Sequence, residues 1–95
     1  SAKPFDNYAL YLLEKGETAK AEEYFRKAVA ADPEDPTGHH LLGEFLIRHG
    51  RREEGLEHYK RSIELEPLNP ELSKEMRELA PAEARLPEPK PEVQP

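Results

Sequence analysis

Four histidines, His39, His40, His49 and His58, are the side chains of this sequence with the widest chemical range. A metal site built on a helix takes ligands at i, i+3 or i, i+4, where side chains share a face. His40 with Glu44 meets that spacing, and so does His49 with Glu53, although Gly50 interrupts the second pair. His39 and His40 diverge by about 100° on a helix and do not chelate together. No His-Glu-x-x-His is present, so the histidines read as surface or half-buried side chains. Neither metal nor cofactor is expected. Metal-dependent catalysis through His40 and Glu44 stands only as a reading to test. Nucleophilic catalysis has less support still. There is no cysteine, and the hydroxyl residues other than the tyrosines are Ser1, Thr18, Thr37, Ser62 and Ser73. The carboxylates lie mostly on solvated helix faces, and no glycine cluster could cradle a phosphate. An enzyme is not expected.

Composition narrows the class further. Ninety-five residues allow one small domain, and 14 basic against 20 acidic residues give a net charge of −6. That sign argues against nucleic acid, whose binders carry a basic surface. The one basic spot, Arg48, His49, Arg51 and Arg52, is diluted at once by Glu53, Glu54 and Glu57. At most it makes a local contact with a phosphate or an acidic peptide. Zero cysteine excludes disulfide scaffolds, Cys-ligated zinc and iron–sulfur chemistry but leaves the compartment open. No apolar run approaches a membrane span, and no signal peptide is visible. A cytoplasmic protein is the expectation.

The elements that must position any site are helical. Valine occurs only at Val29 and Val93, and no β-branched alternation is present. Gly16 and Gly50 sit where helix C-termini would be, Asp35-Pro36 and Asn69-Pro70 read as N-caps with proline at the first helical position, and Pro33 and Pro67 close the preceding helices. The breakers therefore predict five helices, at 4–15, 18–31, 36–49, 52–65 and 70–80. From Pro81 to Pro95, five of the 10 prolines accumulate, and that segment reads as an extended, polyproline-like tail.

The punctuation repeats. Gly16 to Gly50, Pro33 to Pro67 and Pro36 to Pro70 are each 34 residues apart, and Leu12/Leu46, Phe25/Tyr59, Ala28/Ser62 and Val29/Ile63 agree at the same offset. The first copy reads Phe5-x-x-Tyr8-Ala9-x-x-Leu12, Ala21-x-x-x-Phe25, Pro33. The second reads His39-x-x-Leu42-Gly43-x-x-Leu46, Gly55-x-x-x-Tyr59, Pro67. A third copy starts at Pro70 and stops after one helix, with Met76 in the large position. This pattern resembles the tetratricopeptide repeat. The resemblance implies an all-α, antiparallel helix-pair solenoid with two repeats (about 2–35 and 36–69) and a capping helix at 70–80. Small residues at Ala9, Ala21 and Ala28, then Gly43, Gly55 and Ser62, mark the helix crossings. Gly55 inside a helix costs about 1 kcal/mol relative to alanine, which points to a tight one. Two departures stand out. His39 replaces a bulky apolar residue and suggests a semi-exposed contact; Arg77 takes a small position, as a cap with no helix beyond it allows.

A second stripe on the first helix of each copy lies about 100° from the core face. It carries Asp6, Leu10 and Leu13, then His40, Glu44 and Ile47, then Lys74 and Glu78. In proteins of the resembled family this face lines a concave groove that binds extended peptides. The resemblance thus implies a non-enzymatic protein-interaction module, gripping a peptide through Leu10, Leu13 and Ile47 with orientation from Asp6, His40, Glu44, Lys74 and Glu78. The alternative is an assembly module, a homodimer or a groove filled by its own tail, with Leu86 and Val93 as anchors. The family's carboxylate clamp for chaperone C-termini needs two lysines, two asparagines and an arginine. The matching positions here are Asp6, Leu10, Leu41, Glu71 and Glu75. None fits and three are acidic, so that ligand is not expected.

Overall fold

The computed structural model describes residues 3–79 as five helices, α1 (Lys3–Glu14), α2 (Thr18–Ala31), α3 (Pro36–Arg48), α4 (Arg52–Leu65) and α5 (Pro70–Leu79). There is no strand among the described residues. Two of the expected helices, 18–31 and 52–65, have the observed bounds, and the others agree within one residue at each end. The expected tail, with Leu86 and Val93, lies outside the described residues, as does Ala80.

Local chemistry accounts for these bounds. Asp35 accepts a hydrogen bond from the Thr37 amide at 3.0 Å, and Asn69 Oδ1 accepts from the Leu72 amide at 3.2 Å. Each side chain satisfies one orphan donor of a helix whose first residue is proline. The C-terminal ends of α1 and α3 close identically. Gly16 N–H donates to Leu13 O and Glu17 N–H to Leu12 O, while Gly50 N–H donates to Ile47 O and Arg51 N–H to Leu46 O. Both glycines sit at positive φ, 80° and 86°. This is the Schellman closure, which needs a left-handed residue that glycine supplies without a Cβ penalty.

Short connections force neighbouring helices antiparallel. The main packing runs between sequence neighbours, α1 on α2, α2 on α3, α3 on α4 and α4 on α5, as in a solenoid. The core forms two successive clusters. Ala9, Leu12, Ala21, Phe25, Leu42, Phe45 and Leu46 fill the first, and Ile47, Leu56, Tyr59, Leu72 and Met76 the second. The 34-residue equivalents Phe25 and Tyr59 are both essentially inaccessible.

Closest approach occurs between α3 and α4. A Cβ placed on Gly55 would lie 2.7 Å from Gly43 O and 2.6 Å from Ile47 Cγ1, and one on Gly43 would lie 2.8 Å from Gly55 O. Gly55 is therefore the tight crossing that its place in the pattern predicts. Nearby, buried Ser62 donates its hydroxyl to Pro36 O at 2.7 Å, which ties the start of α3 to α4. On the outside, Glu22 of α2 accepts from Arg26 and from both terminal nitrogens of Arg51, and Arg26 also reaches Glu54 at 2.8 Å. The Arg51 hydrogen bonds, foremost, hold the Glu22 carboxyl down to about 2.

Candidate peptide-binding site

A depression of about 210 Å³ opens between α1 and α3, the first helices of the two repeats. Leu10 and Leu13 of α1 form one wall and Leu41 and Glu44 of α3 the other. Phe25 and Phe45, with ring centroids 5.5 Å apart, reach it from the core. Arg48 and His49 complete the lining. The lining is thus apolar with a polar rim, the ordinary constitution of a site that takes an apolar side chain.

Each rim group is held in place. Arg48 donates to Glu44 at 3.0 Å one helical turn away. His49 stacks on Phe45 with centroids 4.2 Å apart, and its Nδ1–H donates to Phe45 O at 2.8 Å. Leu10 is 45% exposed, whereas Leu13 and Leu41 are half-buried against the first core cluster. A ligand side chain entering here would cover surface that is apolar and solvated, which is favourable at about 25 cal/mol per Å².

Three expectations need correction. Ile47 does not line an open groove. It is 7% exposed and belongs to the second core cluster. Its residue-34 counterpart, Leu13, faces the depression; Ile47 instead fills the space that Gly55 leaves free at the α3–α4 crossing. Asp6 is likewise not a free rim carboxylate. It is 4% exposed, and neither of its oxygens has a hydrogen-bond partner. Burial, with a smaller push from Asp35, raises its carboxyl to about 6. His39 is buried rather than semi-exposed. Its Nε2 meets Pro33 O at 2.8 Å and its Nδ1 meets His58 Nδ1 at 3.1 Å. A carbonyl accepts only, so His39 Nε2 carries hydrogen; with both rings neutral, His58 Nδ1 donates to the bare His39 Nδ1.

Of the remaining expected residues, the fold brings Leu10, Leu13 and Glu44 to one place. His40 turns to α5, where its Nε2 lies 2.8 Å from Glu75 Oε2. Lys74 and Glu78 are exposed on α5, away from the depression. Phe25, Leu41, Phe45, Arg48 and His49 were absent from the expected groove. Arg48 and His49 carried a signal as a basic spot, and Leu41 as a clamp position. The two phenylalanines read only as core.

A family model for the tetratricopeptide repeat matches residues 12–79. The chain belongs to the tetratricopeptide repeat family. No curated protein sequence matches it. Membership makes it a repeat protein of the protein–protein interaction type. No helix among the described residues is long and apolar enough to cross a membrane.

Proposed function

We propose that this tetratricopeptide protein is a non-enzymatic interaction module that captures an extended peptide by seating an apolar side chain between α1 and α3. The observation that carries the reading is the depression itself, with Leu10 left 45% exposed on its wall while most large apolar side chains are buried. The Glu44–Arg48 pair offers a carboxylate and a guanidinium at the rim, so the flanking peptide residues would be polar. The site is short, and its affinity would be modest.

The test is selection of peptides from a displayed random library against the purified chain. Selected sequences should share a leucine, isoleucine, methionine or aromatic anchor. Leu10→Glu, at an exposed position, should leave the helical spectrum intact and weaken those peptides at least tenfold. Equal binding by the variant would sink the reading.

A second reading rests on Tyr8 and Tyr11, 39% and 52% exposed and stacked with ring centroids 6.1 Å apart on α1. Exposed aromatic pairs favour contact with another protein surface. A second copy of the chain seated there would give a homodimer, which sedimentation over a concentration series detects.

A further inference from the structure

His40 and Glu44 share a helical face, as their spacing requires, but the fold adds a third group that no local pattern contains. Glu75, from α5, joins them, and one ligand atom from each of the three residues lies within 4.8 Å of the others. The contact between His40 Nε2 and Glu75 Oε2 is already 2.8 Å. All three side chains are half-buried, so they are partly fixed yet reachable from solvent.

We propose that His40, Glu44 and Glu75 form a binding site for a divalent transition-metal ion, zinc foremost, that clasps α5 to α3. One imidazole and two carboxylates are a borderline donor set that suits zinc and its first-row neighbours, whereas magnesium and calcium take oxygen alone. A tetrahedral zinc with ligands at about 2.1 Å spaces them about 3.4 Å apart. The cluster reaches that spacing by small rotations of flexible glutamates. Three protein ligands leave one position for water.

The surroundings supply a second, independent indication. Tyr59 is fully buried against this cluster, its ring 5.3 Å from that of His40, and its hydroxyl lies beside Glu75 without reaching an acceptor at full hydrogen-bond geometry. A buried hydroxyl without a partner costs about 1–3 kcal/mol and requires a reason. Once Glu75 turns one oxygen to the ion, the other can accept from Tyr59. On the far side, Arg48 already holds Glu44 Oε2 at 3.0 Å, leaving Oε1 free. Such outer partners orient metal-binding carboxylates. The imidazole must present a bare Nε2, so on binding its hydrogen resides on Nδ1.

The clasp has a structural consequence. The described packing of α5 is chiefly on α4. An ion between His40 and Glu75 would fasten it to α3 as well and stabilise the end of the stack by mass action.

The experiment uses the full untagged chain titrated with zinc near neutral pH by calorimetry, with a thermal melt and nitrogen-15 shifts of the histidine rings. The expected result is one ion per chain, a Tm raised by several degrees, and a metal-bound shift at His40 Nε2. Glu75→Gln and Glu44→Gln should each weaken binding at least tenfold, while His49→Gln should not change it. The charge of −6 attracts any cation loosely, so magnesium is the control and should produce none of these effects. Absence of saturable zinc binding would overturn the site. So would unchanged affinity in both glutamine variants, or an equal response to magnesium.

Discussion

Asp6 turns stability into a function of pH, and the effect can be isolated. Its carboxyl is 4% exposed with both oxygens unpartnered, and burial lifts it from 3.8 to about 6. The folded chain therefore holds this proton more tightly than the unfolded chain does. Below pH 3.8 the group is protonated in both states and no penalty applies. Between 3.8 and 6 the unfolded chain loses its proton first, and stability falls as pH rises. Above pH 6 the penalty is complete. At 1.36 kcal/mol per pH unit, the interval from 3.8 to about 6 corresponds to about 3 kcal/mol. Domains of this size have about 5–15 kcal/mol in all, so the effect is large. Asp6→Asn removes the ionisation but keeps the shape, and its amide meets the same lack of partners as the protonated acid. The variant should match the parent near pH 4 and exceed it by up to about 3 kcal/mol near pH 7.5. Urea unfolding followed by far-ultraviolet circular dichroism at both pH values measures this. The acidic shift of Glu22 and the downward shift of His58, caused first by burial, occur in both proteins and cancel in the difference. A difference that is the same at both pH values, or an Asn variant less stable at pH 7.5, would refute the reasoning.

Three further outcomes are expected. Gly55→Ala should destabilise by about 1–2 kcal/mol, because overpacking against Gly43 O and Ile47 outweighs the gain in helix propensity; Gly38→Ala, whose new Cβ would meet Val29 at an ordinary 3.6 Å, should be neutral or stabilising by up to about 1 kcal/mol. Chemical unfolding of the two variants distinguishes opposite signs. Nitrogen-15 spectra at neutral pH should show His39 with its hydrogen on Nε2 and His58 with its hydrogen on Nδ1; the opposite assignment would mean that the pair is arranged differently. Peptides ending in acidic chaperone-type tails should not bind in titration calorimetry, since Asp6 is buried without a lysine's reach and Glu75 already faces His40; micromolar binding at moderate salt would contradict this.

How much the sequence disclosed follows the range of each interaction. Helix ends depend on residues close in the chain, so Gly16, Gly50, Asp35-Pro36 and Asn69-Pro70 placed them to within a residue. The repeat of 34 carried the core as well, because Phe25 and Tyr59 or Ala21 and Gly55 meet equivalent neighbours. Equivalence fails where neighbours differ. Leu13 and Ile47 hold the same phase, yet Ile47 lies against Gly55, which has no Cβ, and shares a cluster with Leu72 and Met76, whereas Leu13 faces the depression. The histidines show the same limit from the other direction. His40 and Glu44 were visible as a pair at i, i+4, whereas the 34-residue offset sets His40 in register with Lys74, not Glu75. One step along α5 replaces an ammonium by a carboxylate at 2.8 Å. The identity of a site here hangs on a single residue of register between helices 35 positions apart, and register of that kind is fixed by packing of Leu72 and Met76 on α4, not by any local signal. Shifting Glu75 to position 74, by exchanging Lys74 and Glu75, keeps composition and charge while moving the carboxylate about 100° around α5. The exchange should leave helicity intact and abolish the His40 contact, visible as a changed His40 ring shift; an unchanged shift would show that the contact does not order this side chain.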